Sequence, residues 1–244
     1  MSIDQDDLFI NDIFNKCYKE MDNLQIDIIE FSGFLLRNQF IDSNKIFIPK
    51  YLKNKKNNLI IKQPQLSHFI YQKRKSNYKL IDAYIWGKCI KTIIYKKALH
   101  LIGKKIFALN VCWSEDRVVN FALFQVAFSF KFIKIYGIIH YLHRYSVGHI
   151  WKKKKINKIC HDELVNIHSI YNLIKNTKYI DIVVYELKKK FSYISKGLTK
   201  LNKIYFIFLF NKIINSKYLT IKKKKQLPFY LKTISKINLF LLQI

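Results

Sequence analysis

Thirteen consecutive residues, Val118 to Phe130, carry no charge, in a chain with 44 lysines and arginines. Such a run has two destinations, a bilayer or a protein interior. A membrane-spanning helix needs about twenty consecutive apolar residues. Here Lys131 closes the run and Lys134 follows, so a span through this region would hold two lysines near mid-bilayer. The run therefore predicts burial in a folded core, and it sets the frame for its flanks.

On the near side stands Glu115-Asp116-Arg117, and Arg117 to Phe124 reads as a first short helix. Ser129 is placed as the N-cap of a second helix over Phe130 to Tyr141. On that helix Lys131 and Lys134 share one face, while Phe132, Ile135, Ile138 and Ile139 turn to the core. The unpaired N–H groups of its first turn favour a phosphate. Gly148 and the tract Lys152-Lys153-Lys154-Lys155 suit a basic hairpin or loop, and Leu164-Val165-Asn166-Ile167 a closing strand. Two helices, a tight joint and a basic hairpin make a compact RNA-binding shape.

Charge says what such a unit meets. The 244 residues carry a formal net charge of +28, yet half of them are hydrophobic. Enough apolar chain is present for a core, so this is not a disordered basic tail. A folded protein this basic calls for a polyanion, nucleic acid first and an anionic membrane surface second. The first 30 residues run the other way, with eight acids (Asp4, Asp6, Asp7, Asp12, Glu20, Asp22, Asp27, Glu30) against Lys16 and Lys19. An acidic start is unlike an Arg-rich mitochondrial transit peptide. Arginine occurs only at Arg37, Arg74, Arg117 and Arg144. The preference for Lys, Ile, Asn, Phe and Tyr fits an AT-biased, organelle-encoded gene. Where such bias favours lysine, a retained arginine suggests that its planar, multi-donor fork matters. Cys17, Cys89, Cys112 and Cys160 lack paired spacing and read as free thiols, not as a zinc site or a disulfide framework.

Taken in order, residues 1–45 show apolar positions at helical spacing (Leu8, Ile10, Ile13, Phe14, then Ile26, Ile28, Ile29, Phe31), with Gly33 as a joint. The acids among them either pair internally or meet a neighbouring protein. Lys45 to Gln65 reads as a loop or an arm along phosphates, or as plain surface. A long helical stretch follows to about Ile106, carrying Leu80, Ile81, Tyr84, Ile85, Cys89, Ile93 and Ile94 on one face. Beyond 168, apolar text alternates with lysine clusters, Lys188-Lys189-Lys190 and Lys222 to Lys225 among them.

Several of these residues, in this order, resemble the small ribosomal subunit protein four (S-four) family. Glu115, Arg117, Asn120, Ser129, Lys131 and His140 fall at the spacings of its RNA-binding domain. Asp162-Glu163-Leu164-Val165-Asn166-Ile167 resembles its closing strand. Upstream, Leu66-Ser67-His68-Phe69, Gln72 and Arg74 resemble a helix start of the family, and Pro228-Phe229-Tyr230-Leu231 its C-terminal return. Val119 stands where the family has Asp, and no glycine precedes Ser129.

The resemblance implies an α+β, mostly helical protein, with a small helix-turn-helix plus β-hairpin domain inserted into a basic helical one. The expected parts are an acidic helical extension (1–45), a basic helical domain (46–110), the RNA-binding domain (111–170), a lysine-rich helical insertion (171–226) and a returning C-terminal segment (227–244). It further implies a structural constituent of the small subunit of a mitochondrial ribosome, organelle-encoded, that binds small-subunit rRNA, nucleates its assembly and touches neighbouring ribosomal proteins. The expected RNA-binding residues are Ser67, Gln72, Lys73, Arg74, Lys75, Arg117, Ser129, Lys131, Lys134, His140, Arg144, Lys152, Lys153, Lys154 and Lys155. Replacing Arg117 and Lys131 by alanine is then expected to weaken RNA binding and leave the fold intact. No catalytic residue, metal, cofactor, membrane span or homo-oligomer is expected. An enzyme bearing the same module would need a glycine-rich phosphate loop, a ligand cluster or a spaced nucleophile and base. His140, His143 and His149 cluster without acidic ligands and read as RNA or structural contacts. The alternative is an organelle-encoded accessory subunit of a membrane complex.

Overall fold

A computed structural model describes residues 8–10, 12–37, 40–47, 60–66, 73–74, 77–78, 85–103, 115–142 and 153–175, with 177, 179 and 182–183. The chain is α+β with a mixed sheet. It divides into two compact units, one of residues 1–104 and 116–151, the other of 105–115 and 152–244.

The first unit is built on two long strands, β2 (Ile28–Arg37) and β8 (Ser129–Leu142). They run parallel, in register from Ile28 opposite Phe130 to Arg37 opposite Leu142. Each is entered from a helix a few residues upstream, α1 (Ile13–Leu24) before β2 and α3 (Glu115–Val126) before β8. Short antiparallel strands share the outer edges of this pair. On the β8 side, β4 (Ile60–Lys62) covers Ser129 to Lys131, and β1 (Leu8–Phe9) covers Ile138 and Ile139. On the β2 side, β7 (Lys88–Ile90) covers Ile28 to Glu30, and β3 (Phe40–Phe47) covers Gly33 to Arg37. A separate two-residue pair joins β5 (Lys73–Arg74) to β6 (Asn77–Tyr78), and helix α2 (Thr92–Ile102) follows β7.

The sequence reading of a helix over Phe130–Tyr141 is overturned, since this stretch is β8. The reason lies in burial on both faces. Phe130, Lys131, Phe132 and Ile133 are all buried in succession, and a strand enclosed on both sides loses the period of two. Its apolar text then also matches helical spacing, and only the β-branched and aromatic content favours the strand. Ile26 to Phe31 misleads in the same way, for β2 begins at Ile28. The long helix expected up to Ile106 holds β5, β6 and β7 before α2. The helix expected from Arg117 is present as α3, with Arg117 to Phe124 buried on every face, as a helix apolar all round must be.

Parallel register between β2 and β8 slips at Ser32, where β8 advances from Ile133 to Tyr136 to Ile138 while β2 advances by single residues. Two glycines make room at this irregularity. A Cβ on Gly137 would stand 2.5 Å from Ile13 Cγ1 and 2.6 Å from the Phe31 ring, and one on Gly33 would stand 2.5 Å from Ile138 Cγ2. Over it packs α1, whose buried stripe Ile13, Cys17 and Met21 meets Ile26, Ile29, Phe31, Trp86, Ile133 and Ile138. At its C-terminal end Gln25 turns into the left-handed region and Ile26 N–H donates to Met21 O at 3.1 Å, which closes the helix before β2.

Described by itself, the second unit shows helix α4 (Lys153–Ile174). This corrects two further expectations: Lys153, Lys154 and Lys155 open a helix instead of a hairpin, and Leu164 to Ile167 lies mid-helix instead of in a closing strand. Ile159, Leu164, Val165, Ile167, Ile170, Tyr171 and Ile174 are buried along it. So are Asp162, Glu163 and Asn166, which spoil the simple amphipathic pattern that would have announced the helix. Lys158 Nζ answers Asp162, one turn on, at 3.1 and 3.2 Å.

Candidate functional site

Three residues expected at an RNA surface lie in the interior of the first unit. Arg117 is 7% exposed, Ser129 1% and Lys131 4%. Ser129 does not cap a helix. Its hydroxyl accepts from Asp27 N–H at 3.0 Å and donates to Gln25 O at 3.1 Å, joining the starts of β2 and β8. Asp27 completes the joint, its Oδ2 accepting from Phe128 N–H at 2.8 Å and Ser129 N–H at 3.3 Å, while its Oδ1 pairs with Lys91 Nζ at 3.4 Å. Lys131 pairs with Glu20 on α1. A second ion pair, Glu30 with Lys88 at 3.5 Å, is more completely enclosed, both side chains being at most 4% exposed. Glu20, Asp27 and Glu30 of the N-terminal stretch thus pair internally, one of the two roles its sequence allowed.

The buried positions correct the expectation that Arg117→Ala with Lys131→Ala would leave the fold intact. Removing Lys131 leaves Glu20 without that partner and takes a side chain out of an enclosed position. Lys134 is exposed on β8. His140 lies on β8 opposite Leu35. Lys73 and Arg74 lie opposite Tyr78 and Asn77. Ser67, Gln72, Lys75, Arg144 and Lys152 fall outside the described residues, as do His143, His149 and Cys112.

A different location collects functional potential. The carboxyl ends of β2 and β8 lie side by side, with Arg37 opposite both Leu142 and Phe40. Near the same end β1 joins antiparallel, Leu8 opposite Ile139. Just before Leu8 come Asp4, Asp6 and Asp7, which lie outside the described residues. The two central strands are parallel and their carboxyl ends coincide.

The chain matches no protein-family model and no curated protein. Among the described residues there is no group of three His, Cys, Asp or Glu side chains that would hold a metal ion, and no helix long and apolar enough to cross a membrane.

Sequence reasoning missed the edge because it depends on β8 being a strand.

Proposed function

We propose that the first unit is a ligand-binding unit whose site is the carboxyl edge of the β2–β8 pair, and that its ligand is a small phosphorylated molecule held with a divalent cation. The observation that carries this reading is the parallel pair itself. Its two strands end together and each is entered from its own helix, the arrangement in which ligand crevices form outside strand carboxyl ends. Asp4, Asp6 and Asp7 precede β1 in the sequence, and their carboxylates are hard oxygen donors. Magnesium-type cations commonly sit between one or two carboxylates and substrate phosphates. Isothermal titration with a nucleoside diphosphate, with and without manganese, tests the reading. Binding that needs the metal and is lost in Asp4→Asn with Asp6→Asn supports it; no binding in either condition overturns it.

A second reading keeps the ribosome. Under it the chain is a constituent of the small subunit of a mitochondrial ribosome that binds small-subunit rRNA. The net charge of +28 supports it. Of the residues that carried the family resemblance, Arg117, Ser129 and Lys131 serve the sheet interior, so the RNA surface in this reading moves to Lys134 and to lysines elsewhere. Crosslinking in organelle lysate followed by sequencing separates the two. Reads gathered in one junction of the small-subunit rRNA favour the ribosome, and their absence, with metal-dependent nucleotide binding, favours the ligand site.

A further inference from the structure

We propose that Cys17 and Cys89 form a reactive dithiol that a low-molecular-weight disulfide of the glutathione type converts into an intramolecular disulfide, tying helix α1 to strand β7. The two cysteines lie far apart in sequence and meet through the fold. Cys17 belongs to the buried stripe of α1, and Cys89 lies on β7 directly opposite Ile29 of β2. Both pack in one apolar cluster with Ile13, Met21 and Ile29. They are free thiols within hydrogen-bonding reach of each other.

Their surroundings divide the labour. Cys17 is fully enclosed, whereas Cys89 is partly exposed and open to a small reagent. The hydrogen bond between them favours the thiolate on Cys89, whose pKa falls to about 7 although burial opposes the shift. The same hydrogen bond, then burial, then the charges of Cys89 and Glu20, push the Cys17 thiol upward and keep its proton in place. A thiol that ionises near ambient pH is the effective attacking group in thiol–disulfide exchange.

Cys89 thiolate attacks one sulfur of the external disulfide and expels one small thiolate, leaving a mixed disulfide on Cys89. Cys17 then gives its proton to the expelled thiolate and attacks the Cys89 sulfur, expelling the second small thiolate. Two protein thiols are oxidised and one external disulfide is reduced to two thiols. With Cys89 no longer a thiolate, its hydrogen bond and charge no longer hold the Cys17 proton, and burial and Glu20 alone oppose the second step.

The test uses the 244-residue chain in native buffer with rising ratios of oxidised to reduced glutathione, then an acid quench, alkylation in denaturant and peptide mapping without reduction. The expected result is a linked Cys17–Cys89 peptide, with both thiols lost in equal proportion while Cys160 stays alkylatable. In Cys17→Ser, Cys89 is expected to stop at the mixed disulfide; in Cys89→Ser, Cys17 keeps its thiol. A stable mixed disulfide on Cys89 beside a free Cys17 in the unmutated chain overturns the proposal. So does pairing of either residue with Cys112, or a link that forms only in denaturant. The unmutated chain alone decides these outcomes if a variant fails to fold.

Discussion

The two helix–strand passages of the first unit, α1 into β2 and α3 into β8, share a plan and differ in their surroundings. In each, a twelve-residue helix leads through a short turn into one of the two parallel strands. Helix α1 buries one stripe and leaves Phe14 and Tyr18 exposed, whereas α3 is buried from Arg117 through Phe124. The same local plan therefore serves an outer layer in one copy and the interior in the other. Interior position, and not helix chemistry, sets how costly a change will be.

The largest expected effect tests that statement directly. Phe124 packs tilted against Phe130 at 5.7 Å between ring centroids, from the enclosed helix onto its own strand. Phe124→Ala is expected to lower unfolding free energy by about 3–5 kcal/mol, the range for a buried aromatic truncated to alanine. Phe14 meets Phe9 edge to face at 4.8 Å but is half exposed, and Phe14→Ala is expected to cost about 1 kcal/mol. Urea unfolding of both variants checks the contrast. Equal losses would mean that α1 is as enclosed as α3 and would break the comparison.

The buried ion pair sharpens it on the β2 side. Glu30→Gln leaves the Lys88 ammonium enclosed without its counter-charge, and a loss of about 3–5 kcal/mol is expected. Replacing both residues by leucine removes the two charges together and is expected to recover most of that loss, because the desolvation of both groups disappears with them. A double variant no better than the single one would show that the pair does more than neutralise itself, for example by fixing the register of β7 on β2.

How much of this was legible in the sequence follows from the same contrast. A helix around Ile13 was legible because one stripe of α1 faces inward and the rest faces water, although Leu8 belongs to β1 and Phe14 is exposed, and Cys17 and Met21 complete the stripe instead. The burial of Val118 to Phe124 was readable from the length of the uncharged run. Strand β8 was not, because enclosure on both faces erased the alternation that marks a strand, and Ser129 offered a helix cap that the fold spends on Asp27 and Gln25 instead. Helix α4 was hidden by Asp162, Glu163 and Asn166, polar residues at buried positions. The functional residues suffered accordingly. Lys131 fits the spacing of the family's RNA-binding domain, and a lysine at the right spacing does not tell an ion pair in a core from a contact with phosphate.

Ser129 lies where the two passages join, and its replacement gives an intermediate effect. Ser129→Ala removes the acceptor for Asp27 N–H and the donor to Gln25 O in a site 1% exposed. A loss of about 1–3 kcal/mol is expected, the cost of leaving buried polar groups without a partner. The change should be measurable by urea unfolding with an unaltered slope. A loss near zero would mean that Asp27 holds the strand starts together unaided.

The smallest expected effect separates the functional readings. Lys134 sits on β8 only three residues beyond Lys131, yet it faces solvent while Lys131 is enclosed. Lys134→Ala is expected to change stability by no more than about 0.5 kcal/mol, as surface substitutions do. If the chain binds rRNA through this face, the variant loses one phosphate contact, and the salt dependence of binding flattens by about 0.7–0.9 of a log unit per log unit of salt. If the carboxyl edge is the ligand site, metal-dependent nucleotide affinity keeps its value and the RNA slope does not move. The same lysine thus separates a polyanion surface from a solvated edge of a ligand-binding unit, and it does so without disturbing the sheet on which both readings depend.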